Sequence, residues 1–299
     1  MREEGSSAPP SGDGPPVQNY CRNKMNPWLE TIGVTLIALL GIILGKIFSG
    51  FRKSYWVLGY FISLGLIATL VIARIDNTLL FVLPFSLIAA SRLKFAILSF
   101  AVMMGLTTPF SRLPHKSEKL VIYVFMIVFT IWFSILPFLV PALLKNHLSN
   151  ISTRTDLNGI CYQSKNYTCG PAAAVTALRH LGLPAEEGEI AILSHTNPVT
   201  GTLPWCLYKA LQNRYGTDGL RCQYRHFDSA SQLRNTGIIL AVVKDTFLLD
   251  HCVAILEVSD HTVTIADPVS GKQSMSHKEF EKIWRFSGII LERDSAQSI

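Results

Sequence analysis

Residues 161–182 read CYQSKNYTCGPAAAVTALRHLG. Polar turn residues precede Cys169 and an alanine-rich run ends at Gly182, which predicts a helix that begins at Cys169. Pro171 suits the first turn, where its missing N–H has no partner, and Gly182 suits the left-handed position after the last turn. Unpaired N–H groups and the positive end of the helix dipole favour the thiolate form of a cysteine at this place. The stretch therefore predicts a cysteine nucleophile.

A glutamine and a histidine could complete the chemistry of this thiolate. Gln163 lies six residues before Cys169, far enough for the intervening turn to aim its amide beside the Cys169 N–H. Together these two donors would form an oxyanion hole. Farther along the chain, His251 opens the apolar run CVAILEV, which is typical of a strand. We expect His251 to serve as the general base.

A β-hairpin is predicted to bring an aspartate to this histidine. With residues 259–261 as a three-residue turn, Val258 pairs with Thr262 and Val253 lies opposite Asp267. His251 and Asp267 then occupy the same face as diagonal neighbours. A two-residue turn would place them on opposite faces, so the triad depends on the register of the hairpin.

Asp267 would hold one tautomer of the imidazole while the other ring nitrogen of His251 meets Cys169. Pro268 follows Asp267 and agrees with a position at the end of a strand. The four candidate site residues are therefore Cys169, His251, Asp267 and Gln163.

These residues resemble a known family, the bacteriocin-processing cysteine peptidases that cleave double-glycine leaders. The resemblance covers roughly residues 159–291 and rests on Gln163, on Cys-Gly-Pro-Ala from Cys169, on His251 before a valine-rich strand, on Ala-Asp-Pro around Asp267, and on a last helix and strand from Ser276. It implies a papain-like α+β domain of helices and an antiparallel sheet. It also implies a Cys169 nucleophile, a His251 base, an Asp267 orienting residue and a Gln163 oxyanion donor.

The sequence departs from that family at two positions beside the site and in its domain context. Thr168 replaces a commonly acidic residue before the nucleophile, and Cys252 replaces a bulky apolar residue after the histidine. A Gly-x4-Gly-Lys-Ser/Thr phosphate loop is absent from the sequence. We therefore expect that the chain does not itself power export, and that its candidate partners are a peptide or protein substrate and a separate peptide exporter.

The composition predicts a membrane region before this domain. Of the 299 residues, 49% are hydrophobic and 16% are charged, and the mean hydropathy is +0.31. Residues 1–150 hold 13 basic and 6 acidic groups, whereas the rest holds 14 and 15. Because the basic excess lies among apolar runs, it flanks predicted membrane spans and does not form a nucleic-acid surface. The lipid bilayer is thus an expected partner, and nucleic acid is not.

Three uncharged runs are long enough for membrane helices: 31–45 once its flanks are counted, 54–73 and 120–144. The stretch 77–109 is interrupted by Arg92 and Lys94, so it forms either two short spans or one span with a re-entrant piece. The sequence predicts four or five helices in an all-α multi-span transmembrane region. Counts of Lys and Arg leave the side of the second domain undetermined.

Three regions follow from these patterns. Residues 1–26 form a disordered N-terminal tail rich in Gly, Ser and Pro, residues 27–148 form the transmembrane region, and residues 149–299 form the papain-like cysteine peptidase domain. The expected location is the cell membrane, as a multi-pass protein. The expected function is hydrolysis of peptide bonds, with leader or secreted peptides as candidate substrates.

Two other functions stay open: a catalytically inactive peptide-binding module that serves a separate transporter or partner, and acyl transfer to an amine by the same triad. No cofactor is required, and the cysteine spacing does not indicate a zinc site. Two states of the other cysteines are considered, buried free thiols and disulfides in an oxidising compartment. These cysteines are Cys161, Cys206, Cys222 and Cys252.

Overall fold

A computed structural model describes residues 27–51, 53–75, 93–245 and 250–294. The tail predicted for residues 1–26 lies outside the described residues. So do residues 76–92, and the choice between four and five membrane helices therefore stays a prediction.

Four stretches of helix are long and apolar enough to cross a bilayer: Trp28–Ser49, Ser54–Ala73, Leu93–Arg112 and Lys116–Val140. Their α-helices are α1 (Pro27–Ser49), α2 (Val57–Ile75), α3 (Leu93–Thr107), α4 (Lys116–Phe129) and α5 (Leu136–Leu143). A π-helical segment, Thr130–Ile135, joins α4 to α5. The short helix α6 (Lys145–Ser149) then leads out of this region.

Glycines allow α1 and α3 to pack closely. A Cβ atom on Gly41 would lie 2.6 Å from the Phe100 carbonyl oxygen, and one on Gly45 would lie 2.6 Å from the Met104 carbonyl oxygen. Small residues let helix backbones approach in this way inside membranes, where packing rather than water exclusion holds helices together. This contact agrees with a membrane region built from helices.

The second region contains a two-stranded and a six-stranded antiparallel sheet, joined by helices. Strands β1 (Arg154–Thr155) and β2 (Cys161–Tyr162) form the small sheet. The large sheet has the order β3-β8-β4-β5-β6-β7. Its strands are β3 (Leu220–His226), β4 (Ile238–Lys244), β5 (Asp250–Val258), β6 (Thr262–Asp267), β7 (Gly271–Ser276) and β8 (Trp284–Arg293). The helices are α7 (Cys169–His180), α8 (Glu187–Leu193), α9 (Pro204–Tyr215) and α10 (His277–Ile283).

Two hydrophobic clusters cover the two faces of the large sheet. On one face, α7 and α9 pack against residues such as Leu240, Ala254 and Ala266. On the other, α10 and the 3-10 turn at Ala230–Leu233 pack against residues such as Val253. This α+β arrangement is the fold class expected from the sequence. It buries α7 from Gly170 to Leu178 and leaves Cys169, at the start of the helix, half-exposed.

The β5–β6 hairpin differs from the predicted register at its turn. Val258 pairs with Val263 and not with Thr262, so the predicted three-residue turn is wrong. A β-bulge between Ile255 and Glu257 then shifts the register by one residue. Beyond the bulge Ala254 pairs with Ala266, which is the predicted alignment. Because a one-residue shift turns every later side chain to the other face, the bulge controls the faces of His251 and Asp267.

Candidate active site

The loop before α7 fixes the position of Cys169. The Thr168 hydroxyl accepts a hydrogen bond from the Lys165 N–H at 3.1 Å and donates to the Lys165 carbonyl oxygen at 2.9 Å. Thr168 is fully buried, and its own carbonyl oxygen accepts from the Ala172 N–H at 3.0 Å. Thr168 therefore closes the turn that leads to Cys169.

Gly170, the residue after the cysteine, allows another loop to approach. A Cβ atom there would lie 3.0 to 3.3 Å from three side-chain atoms of Thr202. Thr202 is also hydrogen-bonded through its hydroxyl to Thr196, with 2.7 Å between the oxygens. The connection from α8 to α9 thus lies directly against the start of α7, beside the half-exposed Cys169.

His251 lies between Asp267 and Cys169. Its Nε2 atom is 2.8 Å from Asp267 Oδ1, and the ring is also hydrogen-bonded to Cys169. Because Asp267 occupies Nε2, Nδ1 is the nitrogen that faces the thiol. The structure therefore brings together three of the four residues singled out in the sequence, at the end of the sheet where β5 begins and β6 ends.

The charges at this site favour an imidazolium and a carboxylate. Burial by itself lowers the pKa of His251, but its hydrogen bonds to Asp267 and Cys169 and the charges of those groups outweigh burial and raise it to about 10. Burial raises the pKa of Asp267, whereas hydrogen bonds from His251, the Val269 N–H and the Ser270 hydroxyl together lower it to about 2. A protonated ring beside Cys169 is the partner that a thiolate nucleophile requires.

Gln163 directly follows β2, at the beginning of the loop that precedes α7. Its backbone N–H donates to the Pro268 carbonyl oxygen at 2.9 Å, which ties it to the residue after Asp267. The preceding residue, Tyr162, packs over Gly271, since a Cβ atom on that glycine would lie 2.7 Å from the tyrosine hydroxyl. Among the described residues the buried Gln163 Oε1 atom has no hydrogen-bond partner. The main-chain bond to Pro268 therefore helps to hold this residue beside Asp267.

Other thiols of the domain differ from Cys169 in their surroundings. In the part of the chain that the structure describes, no disulfide joins Cys161, Cys206, Cys222 or Cys252. Burial raises the pKa of both Cys161 and Cys222 to about 12. Burial and the charge of Cys169 also raise the pKa of Cys252. At neutral pH these three groups are protonated thiols and weak nucleophiles.

Sequence reasoning missed three groups that support the site. The Ser270 hydroxyl donates to Asp267 Oδ2 at 2.8 Å, and the Val269 N–H donates to Oδ1 at 2.8 Å. The stretch Asp-Pro-Val-Ser carried a signal for this, because an aspartate commonly accepts from the backbone two residues on. Glu187, a fully buried carboxylate, contacts the residue after Gln163, and nothing in its local sequence indicated that contact.

The described fold and the Cys–His–Asp constellation define a papain-like peptidase domain. Residues 158–298 match the model of the Peptidase C39 family. An uncharacterised protein from Methanothermobacter marburgensis is 32% identical over 135 residues, covering 45% of this chain and 89% of the relative. An uncharacterised protein from Methanothermobacter thermautotrophicus is 32% identical over 134 residues, covering 45% and 88%. The chain belongs to the Peptidase C39 family.

Solved structures with similar folds include the peptidase domain of Streptococcus ComA, a bifunctional ABC transporter involved in a quorum-sensing pathway. It is 22% identical and covers 44% of this chain and 96% of its own, with a TM-score of 0.39. A double-glycine-motif protease from an AMS/PCAT transporter, in complex with its leader peptide, is 17% identical. It covers 48% of this chain and 100% of its own, with a TM-score of 0.37.

Proposed function

We propose that the protein is a membrane-bound cysteine peptidase that hydrolyses peptide bonds through Cys169, His251 and Asp267, with Gln163 as an oxyanion donor. The observation that carries the proposal is His251 hydrogen-bonded to both Cys169 and Asp267, the latter at 2.8 Å. Membership of the Peptidase C39 family supports a peptide substrate.

The proposed reaction starts from the ion pair of the Cys169 thiolate and the His251 imidazolium, in which the thiol proton resides on Nδ1. The thiolate then attacks the carbonyl carbon of the scissile bond, and the oxygen that becomes negative accepts hydrogen bonds from the Cys169 N–H and the Gln163 amide. His251 gives its proton to the leaving amine, and a thioester remains on Cys169. Water, deprotonated by His251, hydrolyses the thioester to a free carboxylate. Asp267 holds the ring through Nε2 and stabilises its charge during both steps.

Four apolar helices support placement in a membrane as a multi-pass protein. A peptidase on such an anchor would meet peptides close to the bilayer surface, where confinement orients substrate and enzyme. Leader or secreted peptides are the proposed substrate class, with a separate exporter as a candidate partner. The family relationship makes peptides that contain a double glycine the first substrates to try.

The first test is alkylation of the full chain in detergent with a low concentration of iodoacetamide between pH 4 and 9, with labelled cysteines located by mass spectrometry. We expect Cys169 to react selectively at pH 6, because the thiols of Cys161 and Cys222 are protonated at that pH. His251→Ala should slow the Cys169 reaction and leave the other cysteines unchanged.

A panel of double-glycine peptides then tests hydrolysis, with products identified by mass spectrometry. A free carboxylate indicates hydrolysis, and an amide formed with an added amine indicates acyl transfer. If Cys169 reacts no faster than the other cysteines and His251→Ala has no effect in folded protein, the proposal is wrong. The protein would then be a peptide-binding module without chemistry.

A further inference from the structure

A buried carboxylate outside the proposed triad contacts the loop that carries Gln163. Glu187, the first residue of α8, is fully buried. Its Oε1 accepts from the Ser164 N–H at 2.9 Å, and its Oε2 accepts from the Ser164 hydroxyl at 2.7 Å. A buried charge is costly unless hydrogen bonds satisfy it, so this pair of bonds is strongly favoured once the loop is in place.

The two Ser164 bonds act on Gln163 through the main chain. The Gln163 N–H donates to the Pro268 carbonyl oxygen at 2.9 Å, and the next N–H along the chain donates to Glu187. The main chain of Gln163 is therefore fixed on both sides, by the β6–β7 turn and by α8. Oε1 of the amide has no hydrogen-bond partner among the described residues, and the position of the amide therefore depends in part on these backbone bonds.

Glu187 is also hydrogen-bonded to the segment that follows the apolar helices. Thr153 Oγ1 accepts from the Glu187 N–H at 2.9 Å, and the Ser164 hydroxyl lies 3.2 Å from the Ser152 carbonyl oxygen. A Cβ atom on Gly188 would overlap the Leu148 carbonyl oxygen, so α6 lies directly on α8 at this glycine. Residues 148–153, here called the linker, thus contact residues 163–168, here called the oxyanion loop, without an intervening element.

We infer that Glu187 is a positioning residue that joins the linker to the oxyanion loop, so that the seating of the linker on α8 sets the catalytic efficiency of Gln163. This inference rests on the proposed function. Glu187 does not touch the substrate or the reacting atoms. It acts through Ser164 and Gln163, and the Cys169–His251 pair does not depend on it.

The test uses the full chain in detergent with three measurements that respond differently. Alkylation of Cys169 by iodoacetamide reports the thiolate–imidazolium pair and needs no oxyanion hole. Binding of acetyl-glycyl-glycinal, read as protection of Cys169 from alkylation, forms a tetrahedral adduct whose oxygen occupies the oxyanion hole. Hydrolysis of a double-glycine peptide gives kcat and KM for the same variants.

Glu187→Ala should lower kcat by about 10²-fold and weaken aldehyde binding by about 10-fold or more, with KM and the alkylation rate within about twofold. Glu187→Gln keeps an oxygen for the Ser164 N–H and should restore most of this loss. Ser164→Ala removes only the hydroxyl, so its losses of kcat and of aldehyde binding should lie between those of Glu187→Ala and Glu187→Gln. Glu186→Gln is the matched control, because this neighbouring carboxylate is 62% exposed and bonded to Arg179.

Gly188→Ala tests the linker, since the added methyl must displace the Leu148 carbonyl oxygen. We expect it to weaken aldehyde binding with an unchanged alkylation rate, and it keeps the inference testable if Glu187→Ala does not fold. The inference is overturned if aldehyde binding is unchanged in Ser164→Ala and Gly188→Ala, or if alkylation falls by the same factor as kcat. Failure of the proposed function looks different, because Cys169 of the wild type would then show no selective alkylation.

Discussion

The two regions of this chain bury apolar side chains in opposite ways. In the peptidase domain every residue of α7 from Gly170 to Leu178 is buried, against the sheet on one side and helices on the other. In the membrane region only 17% of the apolar stretch in the span Lys116–Val140 is buried, and Phe61 and Phe125 are 67% and 62% exposed. Similar apolar residues thus form a core in one region and an outer surface in the other.

This difference in the burial of apolar side chains is explained by a difference in the surrounding solvent. An outer surface of leucine, isoleucine and phenylalanine is costly in water and favourable in lipid, so the exposed helices indicate a hydrocarbon environment. In the peptidase domain water drives the same residues inside and leaves polar groups at the sheet ends, where the candidate site lies. If the two regions are separate in this sense, a change in one should leave the other intact.

The largest expected effect is the loss of the proposed peptidase activity on removal of the proposed nucleophile or the proposed base. Cys169→Ala or His251→Ala should lower kcat/KM by about 10⁴-fold or more, since neither residue has a substitute. Helix content and detergent extraction should match the wild type. Cys222→Ala, at a half-buried position on β3, is the control and should keep its activity. Full activity in Cys169→Ala would contradict the proposed mechanism.

Removal of the proposed oxyanion donor should have the next largest effect. We expect Gln163→Ala to lower kcat by about 10²- to 10³-fold, because the amide acts only when charge develops on the substrate oxygen. Steady-state kinetics with a double-glycine peptide measures this change. Alkylation of Cys169 should proceed at the wild-type rate, and a parallel fall in alkylation would show instead that the loop had lost its structure.

A change in the membrane region should leave this chemistry intact. Gly45→Leu should destabilise the α1–α3 pair by about 1–3 kcal/mol, because the new side chain overlaps Thr107 and lies too close to the Met104 carbonyl oxygen. Thermal unfolding in detergent, followed by size-exclusion chromatography, measures this loss. Gly33→Leu is the control on the same helix, since nothing lies within 4 Å of its Cβ position. Equal effects of both variants would contradict the close packing of α1 and α3.

Asp267→Asn should move the alkaline limit of activity. The Asp267 carboxylate helps to raise the pKa of His251 to about 10, and its removal lowers that pKa towards the ordinary value of 6.5. The imidazolium would then be lost at a lower pH. The pH at which kcat/KM declines on the alkaline side should therefore decrease by about one unit or more. A pH–rate profile from pH 5 to 10.5 measures the shift. An unmoved limb would show that Asp267 does not control the ring.

The same two pKa shifts give the sign of their effects on folding. The raised pKa of His251 contributes stability that is fully present below pH 6.5 and is lost as pH rises through about 10. The lowered pKa of Asp267 contributes stability that is present above pH 3.8 and is lost as pH falls through about 2. Both contributions to the stability of the folded domain are fully present between pH 3.8 and 6.5.

The smallest expected effect concerns a helix cap far from the site. The Ser276 hydroxyl accepts from the Glu279 N–H at 3.3 Å, and the Glu279 carboxylate accepts from the Ser276 N–H at 2.9 Å. Ser276→Ala should lower the free energy of unfolding by about 1 kcal/mol, with kcat and KM unchanged. Ser274→Ala, at an exposed position on the same strand, is the control for denaturant unfolding. A loss of activity in Ser276→Ala would mean that α10 influences the site.

Local patterns in the sequence determined several of these features. The helix that begins at Cys169 and the left-handed glycine after it, Gly182 with φ of 73°, were both predicted from residue types alone. The capping box from Ser276 to Glu279 was predicted in the same way and is confirmed. Each depends on contacts within a few residues, so the local sequence contains all the information needed.

Features that join distant segments were decided only by the tertiary structure. The hairpin turn is one residue longer than predicted, and the bulge at Leu256 returns His251 and Asp267 to a common face, because sheet packing fixes the register on each side of it. The bonds from Glu187 to Ser164 span 23 residues of chain. The sequence by itself determined which residues could supply the chemistry, since residue type and local conformation are encoded nearby. The folded chain decided their alignment and support, because contacts between distant segments depend on the packing of the whole domain.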